Sequence, residues 1–273
     1  TSAITQISFN PNGNLIASSS DDRTIRLWDV NTGKLIATLT GHSDRVTAIR
    51  FRPDGTVLAS GGADKLIKLW SVSNANLIDT LKGHDDEITA LDFSPDGRLL
   101  ASGSHDSTIR LWYSDSITPV ILGRHKLAIA ALTFSPDGKA IASSSWDNTI
   151  KLWSVETAKP TQEASPRQTL VGHNGGVLSL SFSPDSQILA SGSDDNTIKL
   201  WNMTNIEPIK TLTGINDQIN NVRFSGNGQT LLIASNNTGI LLWDLNLATL
   251  LRKSCDRIQH YLHSKPDHKK LCS

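Results

Sequence analysis

Six tryptophans recur on a nearly fixed period: Trp28, Trp70, Trp112, Trp153, Trp201 and Trp243, spaced by 42, 42, 41, 48 and 42 residues. The surrounding text barely changes: SSSDDRTIRLWDV, SGGADKLIKLWSV, SGSHDSTIRLWYS, SSSWDNTIKLWSV, SGSDDNTIKLWNM and, most eroded, ASNNTGILLWDL. Upstream of each lies a turn of related sequence: FNPNG, FRPDG, FSPDG, FSPDG, FSPDS and FSGNG. This self-similarity constrains the fold more than length does. A unit of roughly 40–45 residues forms a sheet too small to bury its own two faces, so such units must stack on one another to make a core.

The strands are legible within each unit. VTAIRF (46–51) and ITALDF (88–93) alternate and end at Pro-Asp-Gly, where Pro presets φ and Gly accepts a positive one. LAS (58–60), TIRLW (24–28) and LIATL (35–39) are further β-rich runs between Ser/Gly/Asp or Asn-Thr-Gly breakers. Before residue 245 no 3.6-residue apolar period appears, so the expectation is an all-β fold.

With Gly41-His42, Gly83-His84 and Gly172-His173, the Pro-Asp-Gly turns and the Trp-Asp-like ends, residues 1–245 resemble the WD-repeat β-propeller family. The resemblance implies a propeller with six repeats in this chain, as part of a seven-bladed ring. It also implies that the segment leading to each Gly-His forms an outer strand. Only five such segments are present, so the sixth blade is expected to lack its outer strand, with the missing piece and a further blade upstream of Thr1.

Four repeats carry His, Ser, Asp and Trp in register: His42, Ser60, Asp64, Trp70; His84, Ser102, Asp106, Trp112; His125, Ser143, Asp147, Trp153; and His173, Ser191, Asp195, Trp201. The His-to-Asp separation is 22 in each. Ser, His and Asp invite a hydrolase reading, but a catalytic triad occurs once per site and four equivalent copies point to a structural device. The resemblance implies a buried chain of hydrogen bonds, which suits a donor-only indole, an acceptor-only carboxylate and two relays between them. Ile215 and Asn237 hold the His and Asp positions in the sixth repeat, so its network should be broken.

Other chemistry finds little support. The 26 basic and 26 acidic residues cancel, which gives no electrostatic case for a nucleic-acid or membrane partner. There is no phosphate-cradling glycine motif, so no cofactor is expected. Arg26, Lys68, Arg110, Lys151 and Lys199, two residues before each Trp, read as solvated or inter-blade pairs. Cys255, His260, His263, His268 and Cys272 fit no standard zinc spacing.

Function therefore falls to the loops. By resemblance, the contact rim takes from each repeat the residue before the turn Asp and those three and five after the His position. These are Asp21, Ala3 and Thr5; Ala63, Arg45 and Thr47; His105, Glu87 and Thr89; Trp146, Ala128 and Ala130; Asp194, Gly176 and Leu178; Asn236, Gln218 and Asn220. Trp146 is the seventh tryptophan and lies off the period; interface anchors are enriched in Trp, Tyr and Arg. Ala128, Ala130 and Leu178 would give it an apolar floor, flanked by His105, Glu87 and Asp194, with Arg45 and Asp21 further round. The alternative is a Trp146 folded over a neighbouring loop. The excursion 156–168 reads as a tolerated surface insertion.

After Trp243, apolar residues at 247, 251, 258 and 262, with Cys255 on the same stripe, predict a helix over about 246–263. The domains are then a propeller, 1–245, and a C-terminal amphipathic helix and tail, 246–273. This tail resembles those of bacterial, cyanobacterial-type multidomain WD-repeat proteins. On that resemblance the chain is the cytoplasmic C-terminal part of a longer protein, fused to an upstream effector or ATPase domain. The reading is a non-catalytic protein–protein interaction scaffold or sensor. The rival is a propeller enzyme with an axial active site.

Overall fold

Each Pro-Asp-Gly turn closes a hairpin. At residues 94–97 the Ser94 hydroxyl caps Asp96, Gly97 N–H returns to the Ser94 carbonyl, and Gly97 takes the positive φ of 72° that the turn requires. The computed structural model describes residues 2–113, 118–156 and 164–245. Those residues form 23 strands in six antiparallel sheets, five of four strands and one of three. The expected helix with Leu251, Cys255, Ile258 and Leu262, both cysteines, and residues 157–163 of the excursion lie outside the described residues.

Strand order within each sheet follows the chain. The innermost strands are Ile4–Phe9, Val46–Phe51, Ile88–Phe93, Ile129–Phe134, Val177–Phe182 and Ile219–Phe224. They surround one central channel, to which Gln6, Arg50, Asp92, Thr133, Ser179 and Arg223 all contribute. The outer strands Leu35–Thr40, Leu77–Lys82, Val120–Arg124, Gln168–Leu170 and Glu207–Leu212 each lead toward the next His position, as the sequence implies. The sixth sheet has no outer strand among the described residues.

The core lies between blades. Between the first two, Ala17, Ile25, Leu27 and Leu39 of one sheet meet Val46, Ile49, Phe51, Leu58 and Trp70 of the next, and four further clusters repeat this arrangement. The strand pattern places Ile and Leu on alternate positions of the third strand, so they share the face toward the following blade. Each fully buried Leu, Ile or Val contributes roughly 1.5–3 kcal/mol, so stacking supplies most of the stability.

Polar side chains tie the inner strands together. Gln6 Oε1 accepts from Ile49 N–H at 2.6 Å, Asp92 Oδ2 from Phe134 N–H at 2.8 Å, Ser179 Oγ from Val222 N–H at 2.9 Å and Ser181 Oγ from Phe224 N–H at 3.1 Å. An inner strand is a sheet edge whose N–H groups lack a strand partner on one side, and here the preceding blade satisfies them.

Candidate functional site

The His–Ser–Asp–Trp sets assemble as expected. His84 Nδ1 lies 2.7 Å from Asp106, His84 Nε2 lies 2.8 Å from Ser102 Oγ, and Trp112 Nε1–H donates to the same hydroxyl at 2.9 Å. The blades of His42, His125 and His173 repeat these contacts. The donor inventory fixes the direction: indole N–H to serine oxygen, serine O–H to Nε2, and Nδ1–H to carboxylate. That is the bonding order of a hydrolytic triad. The difference is access, since Ser60, Ser102, Ser143 and Ser191 are all 0% exposed and each already receives an indole N–H.

Electrostatics agree with a neutral imidazole. Burial lowers the pKa of His84, His125 and His173 by more than the facing carboxylates raise it. Burial alone would push the aspartates up, but donors outweigh it. At Asp195 the Thr197 hydroxyl, Asn174 N–H and His173 bring the pKa down to about 2. Each Asp also holds the loop that follows its histidine, through Ser43, Asp85, Lys126 and Asn174 N–H at 2.8–3.0 Å.

In the sixth blade the network is replaced rather than merely broken. Ile215 stands for His and Ile233 stands for Ser; both are buried in one apolar cluster. Asp217, two residues past the His position, accepts from Asn237 Nδ2 at 3.1 Å and so closes the turn from the opposite side.

Above these networks lies the rim. In five blades the residue before the turn Asp donates its N–H to the carbonyl of the residue three after the His position. The pairs are Asp21–Ala3, Ala63–Arg45, His105–Glu87, Trp146–Ala128 and Asp194–Gly176. Asn236 and Gln218 meet through their side chains at 3.0 Å. The sequence-derived pairs are therefore spatial neighbours.

Two regions of different character result. Across the first three blades, Arg45 Nη2–H donates to Glu87 Oε2 at 2.7 Å, and His105 Nδ1 stands 3.8 Å from the same oxygen. Glu87 raises the Arg45 pKa most, and Asp21 and Asp44 add to it. Across the fourth and fifth blades, the Trp146 ring lies over Gly176: a Cβ there would stand 2.6 Å from the indole Cε3. Trp146 nevertheless remains 44% exposed. Ala128, Ala130 and Leu178 are half-buried, and Asp194 is exposed.

Thr5, Thr47 and Thr89 also serve as inter-blade ties: their hydroxyls donate to the carbonyls of Val46 (2.5 Å), Ile88 and Ile129 (2.7 Å) of the following blade. Of the cations before each Trp, Lys68, which is buried, and Lys199 bond within their own blade, to Thr80 and Thr211, whereas Lys151 reaches the Arg124 carbonyl of the preceding blade, an inter-blade contact as expected. In the channel, Asp92 is occupied by Arg50 Nε at 2.8 Å on one oxygen and by Thr133 and Phe134 N–H on the other.

Fold and rim together define a repeat-built β-propeller whose blades share a buried frame and differ at their loops. Residues 1–29, 33–71, 75–113, 119–154, 164–202 and 206–244 match the family model described as WD domain, G-beta repeat, and the chain belongs to that family. A Lissencephaly-1 homolog of Caenorhabditis briggsae is 46% identical over 43 residues, 16% of this chain and 11% of that protein. A Nuclear distribution protein PAC1 of Coccidioides posadasii is 59% identical over 34 residues, 12% of this chain and 7% of that protein. The chain thus spans about a tenth of the length of the curated relatives it matches.

Proposed function

We propose that the propeller is a non-catalytic platform that holds a protein partner on its rim, with Trp146 as anchor. The observation that carries this reading is the seating of Trp146. Its ring is positioned by contact with Gly176, so little entropy is lost on binding, while 44% of the residue remains available. Ala128, Ala130 and Leu178 extend the apolar area, and Arg45, Glu87, His105, Asp21 and Asp194 offer charge around it. Such an apolar centre beside polar groups is the usual anatomy of a protein interface.

The same reading assigns the propeller to a larger cytoplasmic protein of the bacterial, cyanobacterial kind, as scaffold or sensor for an effector or ATPase domain. It rests on the resemblance of the tail and is checked by the sequence of the full gene. For the rim, the test is affinity capture with wild type and Trp146→Ala, followed by titration of the captured protein. A hot-spot anchor predicts a loss of roughly 30-fold or more in affinity with unchanged urea unfolding. Equal affinity would remove Trp146 from the interface.

A further inference from the structure

Leu127 and Trp146 are the large apolar side chains that the rim of the fourth blade leaves in water, 52% and 44% exposed. Their segments run side by side: Trp146 N–H donates to the Ala128 carbonyl and the Ser145 hydroxyl to that of Leu127, both at 3.1 Å. The seat on Gly176 uses the six-membered part of the indole, through Cε3, Cζ3 and Cδ2. Trp146 Nε1–H has no hydrogen-bond acceptor among the described residues. Asp194 donates its N–H to the Gly176 carbonyl at 2.9 Å, so it stands beside the residue that seats the ring. It is exposed, and its carboxylate has no hydrogen-bond or ion-pair partner among the described residues. An apolar patch, a free N–H donor and a free carboxylate therefore meet on one stretch of rim.

The chain is neutral overall, but this stretch is not. In the loops after the histidines of the third, fourth and fifth blades, residues 85–87, 126–128 and 174–176, Lys126 is the one cation against Asp85, Asp86 and Glu87. Beneath the same loops lie Asp106, Asp147 and Asp195, each accepting the N–H of the first loop residue, Asp85, Lys126 or Asn174. Burial raises the pKa of these carboxylates, but their hydrogen-bond donors outweigh it and hold all three below the ordinary value. Burial also lowers the facing histidines, so no imidazolium cancels the charge. Charges set partly inside the protein are screened by salt less than surface charges are.

We infer that the partner held at Trp146 presents a basic segment, in which an aliphatic side chain covers Trp146 and Leu127 and a neighbouring Lys or Arg pairs with Asp194. This deepens the platform reading and rests on it. Trp146 Nε1–H donates to a main-chain carbonyl of the segment, and Asp85 and Asp86 meet further cations toward the third blade. Lys126 is the group that opposes such a partner, so removing its charge should help binding where removing that of Asp194 harms it. An acidic segment would reverse both signs.

The probe is a phage-displayed library of random peptides, selected on the whole immobilised chain and, in parallel, on Trp146→Ala. Sequences enriched on wild type should join an aliphatic residue to a nearby Lys or Arg and carry net positive charge. The leading sequence, made as a labelled peptide, is then titrated by fluorescence anisotropy. Asp194→Asn should weaken it roughly three-fold and Lys126→Glu strengthen it by a similar factor. Both effects should vanish at roughly 1 M salt, where the Debye length is about 3 Å. All three side chains are exposed, so the urea midpoints of the variants should match wild type. Acidic or uncharged sequences that still require Trp146, or opposite signs at Asp194 and Lys126, would overturn the basic partner and leave the anchor standing. A selection that comes out the same on Trp146→Ala as on wild type would overturn both.

Discussion

The indole of Trp146 rests on the bare backbone of Gly176, a residue of the next blade. A side chain there must displace the ring. Gly176→Val is therefore expected to shift Trp146 emission to the red, measured as the difference from a Trp146→Phe background. Overpacking should lower stability by roughly 1–3 kcal/mol. Partner affinity should fall along with the shift. An emission spectrum identical to wild type would show that the ring is held by something else.

Removing the carboxylate from a buried network leaves Nδ1–H of the histidine without its acceptor, and the loop N–H groups beside it as well. Asp106→Ala should lower unfolding free energy by roughly 3 kcal/mol, because His84, Asp85 N–H and Thr108 all lose a partner. Asp96→Ala, in an exposed turn, should cost about 1 kcal/mol or less. Urea melts of the two variants side by side decide it. Equal effects would place the network outside the energetics of the fold.

The histidine shifts set a pH dependence with a definite sign. His84, His125 and His173 have folded pKa values below the ordinary 6.5, so just below that pH the unfolded chain binds more protons than the native one. Their contribution is complete above pH 6.5 and is lost as pH falls toward the folded values. A second loss follows below 3.8, where Asp195 takes up its proton in the unfolded chain but stays ionised in the fold down to about 2. Urea midpoints across pH 8 to 3 should fall in these two stages. A midpoint that rises between pH 7 and 5 would contradict the neutral imidazoles.

Gly123 precedes the one histidine whose Gly-His spacing is displaced, and its backbone lies on the following blade's Trp153: a Cβ would come within 2.2 Å of the ring. Gly123→Ala is expected to cost roughly 1–3 kcal/mol through the forced movement of Trp153. Gly226→Ala, where nothing lies within 4 Å of the added carbon, should be near neutral. Thermal unfolding of both variants tests the contrast.

Periodic positions were legible because they answer to one unit at a time. His84, Ser102, Asp106 and Trp112 lie within a single repeat, so their spacing alone shows them acting together. Contacts across blades escape that logic. Nothing in the spacing tells that Thr47 bonds to the Ile88 carbonyl, or that Lys151 reaches the Arg124 carbonyl, since both depend on how sheets are set beside one another. Gly176 had a faint signal: it is the glycine at a position where other repeats carry Ala, Arg, Glu or Gln, and it follows the repeat holding the off-period Trp146. Ile233 could have been found by extending the register from Ile215 by the same 18 residues that separate His42 from Ser60.

The aspartate beneath each turn grips the loop from below, and the residue just ahead of it carries none of that duty. Asp21, Ala63, His105, Trp146 and Asp194 are the result: four chemically different side chains on one backbone geometry, each free to change without unsettling its neighbours. A binding surface built this way can be rewritten one letter at a time. The hidden uniformity of the four buried networks is what makes visible diversity above them cheap to explore, so new partners can be acquired by drift at the rim while the frame stays as it was.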